Sequence, residues 1–118
     1  MSIRPLFAAL AFLSMAGCAT DPAPNEQMRL TARALEQAKA VGATAEQVPE
    51  LKLAEEKFSR AQGNMQDESY KKARVRAEQA ELDARLAEAK VLTQKSQEQV
   101  NLLNTRITRL RKQLGDAQ

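Results

Sequence analysis

The chain has 118 residues, enough for one small domain, and its net charge of +3, from 18 basic against 15 acidic side chains, is only mildly basic. Aromatic residues make up 3%, and there is no His, no Trp and a single Cys, which excludes an internal disulfide, general-base catalysis by His, and the His-containing zinc and di-iron centres. Hydrophobic residues reach 43%, but Ala supplies many of them, so burial at roughly 25 cal/mol per Å² leaves a thin margin over chain entropy and predicts a slender helical assembly without a ligand-sized cavity.

Met1 to Arg4 is a short positive start, Pro5 follows, and Leu6 to Met15 carries no charge. That run is too short for a membrane span, which needs about 20 apolar residues, but it suits the apolar region of an export signal. The small residues Ala16 and Gly17 precede the one cysteine. Met15-Ala16-Gly17-Cys18 resembles a bacterial lipobox, with a departure at Met15, where Leu is usual. The resemblance implies that residues 1–17 are a lipoprotein signal peptide, that Met15, Ala16 and Gly17 are read by the peptidase, and that Cys18 is the lipid attachment point. An ordinary signal peptide cut after Ala16 or Ala19 is the alternative, and the cut after Ala16 leaves an unpaired thiol in an oxidising compartment. Each buried CH₂ is worth about 0.8 kcal/mol, so one acyl chain holds marginally and two or three hold durably. The lipobox resemblance also implies a sorting rule, in which Asp directly after the cysteine retains a lipoprotein at the inner membrane. Ala19 stands there instead, and the expectation is the outer membrane, periplasmic face. Residues 18–25, with Pro22 and Pro24, read as a short, stiff tether.

No later segment alternates with period two, and no Asn-Gly or Asp-Gly turn occurs. The spacing predicts a first helix from roughly Glu26 to Val41, with Met28, Ala32 and Leu35 on one face and Gly42 as its stop. Thr44 to Val48 is a connection. Val48 precedes Pro49, which disfavours helix at Val48 and suits Pro49 as the first helical position. The second helix carries Leu51, Ala54, Phe58, Ala61 and Met65 at spacings of three and four, with Glu56 and Arg60 on its wet side. Gly63 and Asn64 weaken its end. Asp67 is the expected N-cap of a third helix, with Glu68 in its first turn. No Gly or Pro interrupts the chain from Asp67 to Leu114, which permits a helix of roughly 70 Å at 1.5 Å per residue. The second helix is much shorter, so the third projects beyond any bundle.

Two stripes mark that long helix. Tyr70, Ala73, Ala77, Ala80, Ala84, Ala87 and Val91 form a stripe at spacings of three and four, whose small residues let a neighbouring helix approach closely. Val100, Leu103, Ile107, Leu110 and Leu114 form a bulkier heptad row beyond the reach of the second helix. Such a row asks for a partner helix, although the first helix, or solvent alone, could meet it instead. With Val100 at position a, Arg106 and Arg111 face one another in an in-register parallel homodimer, which is repulsive and points to an antiparallel or acidic partner. The polar run Thr93 to Gln99 separates the two rows. Lys71, Lys72, Arg74 and Arg76 cluster early in the helix, and Arg106, Arg109, Arg111 and Lys112 near its end. The second cluster suits a helix C-terminus; Glu78, Glu81 and Glu88 interrupt the first, and Glu81 with Arg85 is an i,i+4 pair.

From roughly Met28 to Val91 the sequence resembles a bacterial lipoprotein family known as domain of unknown function DUF4398. Pro49-Glu50-Leu51, Ala54, Lys57-Phe58, Ala61, Tyr70, Ala73, Ala77, Ala80 and Asp83-Ala84 carry the match; Leu is commoner than Phe at position 58. The resemblance implies helical proteins of the outer membrane. Some members add a peptidoglycan-binding domain of the OmpA type, for which this chain has no room, and the family supplies no activity to carry over. The stretch from Ala61 to Ala77 also resembles a tetratricopeptide helix pair, but a single such unit lacks the neighbours that stabilise it.

The resulting expectation is an all-α protein, a helical hairpin or three-helix bundle over residues 26–92, whose C-terminal helix projects as a coiled-coil-like segment over residues 93–118. The expected role is non-catalytic, structural or adaptor-like, exerted through helix–helix contacts. The alternative is binding of an envelope polyanion, peptidoglycan or lipopolysaccharide. The partners expected are the membrane, through acyl chains on Cys18, and a helical protein or an oligomer. No metal, cofactor, nucleic acid or small-molecule substrate is expected, because no phosphate-binding loop, aromatic base-stacking row or pocketed carboxylate pair appears.

Overall fold

A computed structural model describes residues 21–116. Among these residues three helices follow one another: α1 spans Asn25–Ala40, α2 spans Pro49–Gln66 and α3 spans Tyr70–Asp116. The described residues contain no strand. The long helix α3 is the spine. Both shorter helices pack on it, α2 most extensively, and they touch one another far less. Successive hairpin turns set α2 antiparallel to its neighbours and leave α1 running in the same direction as α3.

Both turns close in the same way. At the end of α1 the N–H of Gly42 donates to the Lys39 carbonyl (2.9 Å) and that of Ala43 to the Ala38 carbonyl (3.0 Å). Gly42 takes φ +98°, a left-handed conformation in which glycine carries no steric cost, and the two bonds satisfy carbonyls that the helix end leaves open. At the end of α2 the N–H of Glu68 donates to Met65 (3.2 Å) and that of Ser69 to Asn64 (2.8 Å). Here the left-handed residue is Glu68, at φ +54°. Asp67 therefore ends α2 and does not cap α3, and Glu68 lies in the turn ahead of α3, which begins at Tyr70. Val48 is extended (φ −123°) and Pro49 opens α2, as the local sterics of the pair require.

The core is built from small residues. Ala73, Ala77, Ala80, Ala84 and Ala87 are all 0% exposed. Of these, Ala84 and Ala87 cluster with Ala34, Leu35 and Ala38 of α1, Leu51 and Ala54 of α2, and the connection residues Ala43 and Val48, with Phe58 and Val91 packed at the edge. Leu51 is the largest apolar side chain fully enclosed. On α1 the buried row is Thr31, Ala34, Leu35 and Ala38, whereas Met28 and Ala32 are only half-buried. Ala spacing brings the backbones so close that Thr31 reaches across: its Oγ1 lies 2.9 Å from the Ala77 carbonyl of α3 and 2.9 Å from the Gln27 carbonyl of its own helix. A buried hydroxyl with such acceptors is satisfied, which is why a polar residue holds a core position.

Among the described residues no helix is long and apolar enough to cross a membrane.

Candidate functional site

The bundle ends near Lys95, whose Nζ donates 2.7 Å to the Val41 carbonyl at the tip of α1. Every described residue from Leu92 onward is exposed. Residues 96–116 of α3 therefore continue alone for about 31 Å. Val100, Leu103, Ile107, Leu110 and Leu114 lie on this stretch and are 45–71% exposed; neither α1 nor α2 meets them. A lone helix in water gains nothing from such a row. Arg106, Arg109, Arg111 and Lys112 surround it, and no described carboxylate pairs with any of them.

The row is longer than its bulky end. Val75, Leu82 and Leu86, on the part of α3 inside the bundle, are also large, apolar and 45–67% exposed. They stand at heptad positions that run with Gln79 between Val75 and Leu82 and continue through Ala89, Thr93 and Ser96 to Val100. One seam thus runs from Val75 to Leu114 along the side of α3 opposite the buried alanines. The heptad spacing was available in the sequence; the small and polar residues at its middle hid it behind the alanine row.

The remaining polar contacts hold helices together. The Glu81 carboxylate of α3 accepts from Gln27 Nε2 of α1 (2.7 Å) and from Nε and Nη2 of Arg85 (2.9 and 2.6 Å). The bond from Gln27 and then the one from Arg85 hold its pKa below the usual glutamate range. Lys57 of α2 pairs with Asp83 of α3 at 2.5 Å, and Lys39 of α1 with Glu55 of α2 at 2.7 Å. Lys90 of α3 bonds Glu50 of α2 and lowers that carboxyl's pKa as well. Glu56 and Arg60 do not pair. These contacts join one helical surface to another. Among the described residues no group of three or more His, Cys, Asp and Glu side chains is placed to hold a metal, and the surface depressions, such as that between Asn64, Lys71 and Gln79, are open and shallow.

At the opposite end, residues 21–24 run irregularly into α1, and Arg74 Nη2 lies 3.5 Å from the Pro22 carbonyl. The tether thus enters beside the α2–α3 turn, a whole α3 length away from Leu114. The early basic residues Lys71, Lys72 and Arg74 are exposed around that entry. Met15, Ala16, Gly17 and Cys18 lie outside the described residues.

The family model "Domain of unknown function (DUF4398)" matches residues 26–102. A solved structure also matches: the 2.47 Å crystal structure of a DUF4398 family protein from Pseudomonas aeruginosa PAO1, 67% identical, with a TM-score of 0.79. The match covers 82% of this chain and 100% of that one. No curated protein matches.

Proposed function

This chain belongs to the DUF4398 family, and on that premise we propose that it is an outer-membrane lipoprotein facing the periplasm, anchored through Cys18, which acts as a non-catalytic adaptor through helix–helix contacts. The observation that carries the reading is the exposed heptad row on a helix that runs unaccompanied for about 31 Å, at the end of the molecule remote from the tether. Apolar side chains at that spacing are matched by another helix and by little else. The lipobox-like Met15 to Cys18, with Ala19 behind it, supports the anchor and its membrane.

Two measurements test this. Intact mass of the protein extracted from separated outer membranes, wild type beside Cys18→Ser, is expected to give the chain from Cys18 plus acyl groups, lost in the variant; a mass without lipid removes the anchor. A photo-reactive side chain at Leu103 is expected to give a discrete protein cross-link in cells that the same group at exposed Glu56 does not. Equal labelling at both positions overturns the adaptor role.

The unpaired cations Arg106, Arg109, Arg111 and Lys112 favour a second reading, binding of an envelope polyanion. It requires retention on purified sacculi or lipopolysaccharide that falls as salt rises and is lost when those four residues are neutralised.

A further inference from the structure

The seam on α3 has a shape that identifies its occupant. Its distal half is bulky (Val100, Leu103, Ile107, Leu110, Leu114) and its middle is small or polar (Ala89, Thr93, Ser96) before Leu86 and Leu82. We propose that the seam is closed by a second copy of this chain, packed antiparallel, with residue 98 of each helix at the two-fold axis. The inference rests on the helix-contact reading above and names its partner.

In an antiparallel pair each a position layers with a d position of the other helix, and e faces e, g faces g. Centred at residue 98, Leu114 meets Leu82, Leu110 meets Leu86, Ile107 meets Ala89, Leu103 meets Thr93 and Val100 meets Ser96 of the second copy. Between Leu82 and Leu114 every small or polar residue of the seam is thereby set against a large aliphatic one, and the two-fold repeats each layer. The facing stretch, residues 82–114, is about 50 Å long. The seam lies opposite the buried alanines, so α1 and α2 of either copy stay clear of it.

Charge selects the same arrangement. The e and g positions set Asp83, whose carboxylate also holds Lys57 within the bundle, opposite Arg111, twice by symmetry, and bring no like charges together. Sliding by one heptad in one direction sets Arg85 against Arg106 and Arg76 against Arg111; in the other direction it sets Lys90 against Arg111. A parallel in-register pair fails at every charged g–e contact: Glu78 meets Asp83, Arg85 meets Lys90 and Arg106 meets Arg111. It also stacks Ala89, Thr93 and Ser96 on their own copies in three adjacent weak layers. Like-charge contacts of this kind are how a coiled coil rejects an alternative pairing.

The test is thiol cross-linking in the full chain carrying Cys18→Ser, so that introduced thiols stand alone. Ala89→Cys with Ile107→Cys in one chain is expected to oxidise to a covalent dimer, while either substitution by itself stays monomeric on a non-reducing gel. Sedimentation of the unoxidised protein is expected to give twice the chain mass, reverting toward the monomer in Leu103→Asp with its helix content kept. Self-cross-linking of Ile107→Cys alone means a parallel pair and overturns the antiparallel arrangement, leaving the helix-contact reading intact. A monomer at every concentration, with no covalent dimer, overturns the second copy as occupant. If Leu103 then cross-links a different protein in cells, the adaptor reading survives that failure; if it cross-links nothing, both fall.

Discussion

The ammonium of Lys95 bonds the carbonyl oxygen of Val41, 54 residues earlier, and is the last hydrogen bond that α3 makes to the rest of the described chain. It divides the helix into a part held by neighbours and a part that is not. The divide is a matter of length: α1 and α2 stop where α3 continues.

The two helix-ending turns differ in one residue, and that difference is measurable. Gly42→Ala places a Cβ at φ +98° and is expected to cost about 1–2 kcal/mol. Glu68→Gly relieves a side chain held at φ +54° and is expected to add about 0.5–1 kcal/mol, part of the gain being offset by the freer unfolded chain. Denaturant midpoints of the two variants should move in opposite directions. A loss of stability in Glu68→Gly would show that the Glu68 side chain itself supports the turn.

The alanine row tolerates no growth. Ala80 is fully enclosed, so Ala80→Leu should destabilise by about 1–3 kcal/mol through forced separation of the helices. Leu51→Ala opens a void where the core has its bulkiest apolar group and should cost about 2–5 kcal/mol. Thermal melts are sensitive enough, since each kcal/mol moves the midpoint of so small a domain by about 4–8 °C. An Ala80→Leu protein as stable as wild type would mean that α1, α2 and α3 are not in close contact there.

Thr31 isolates the value of one hydrogen bond between helices. Thr31→Val keeps the shape and removes the hydroxyl that bridges to the Ala77 carbonyl; the expected loss is about 1 kcal/mol in urea unfolding. Equal stability would show that the contact contributes shape alone.

Acid should loosen the attachment of α1. The pKa of Glu81 is lowered in the folded state by its bonds from Gln27 and Arg85. The unfolded chain therefore binds this proton at higher pH than the folded one. The contribution is fully present above the ordinary glutamate pKa and is lost as pH falls through the lowered folded value. Urea midpoints between pH 7 and pH 3 should decline less steeply in Glu81→Gln than in wild type. Parallel curves would assign the acid loss to other groups, with Glu50 the next carboxylate held low.

The legible parts of this fold are those with a steric signature. Gly42, the Val48-Pro49 pair and the alanine spacing each leave a backbone few options, and the helices stop, start and pack where those residues direct. The second turn was misread because Glu68 occupies a left-handed position with no glycine to announce it, while Asp67 looks like an N-cap. On α1 the apolar pattern pointed to Met28 and Ala32; the buried position went to Thr31, because a close alanine interface supplies a carbonyl for a hydroxyl to bond. At the candidate site the bulky row from Val100 to Leu114 was legible. Its continuation through Leu86 and Leu82 is set by packing, because the alanines turn to α1 and α2 and leave those two leucines on the free face.

The spine arrangement also fixes the order in which this molecule can come together. During synthesis α1 appears first, but the surface it needs is not its neighbour α2. The Ala77 carbonyl that Thr31 bonds lies 46 residues downstream, and Lys95, which closes the end of α1, comes later still. Until that part of α3 arrives, α1 has little to fold against, and an isolated helix of 16 residues is marginal in water. The chain accordingly stays open over most of its length and closes late, when nearly all of it has been made.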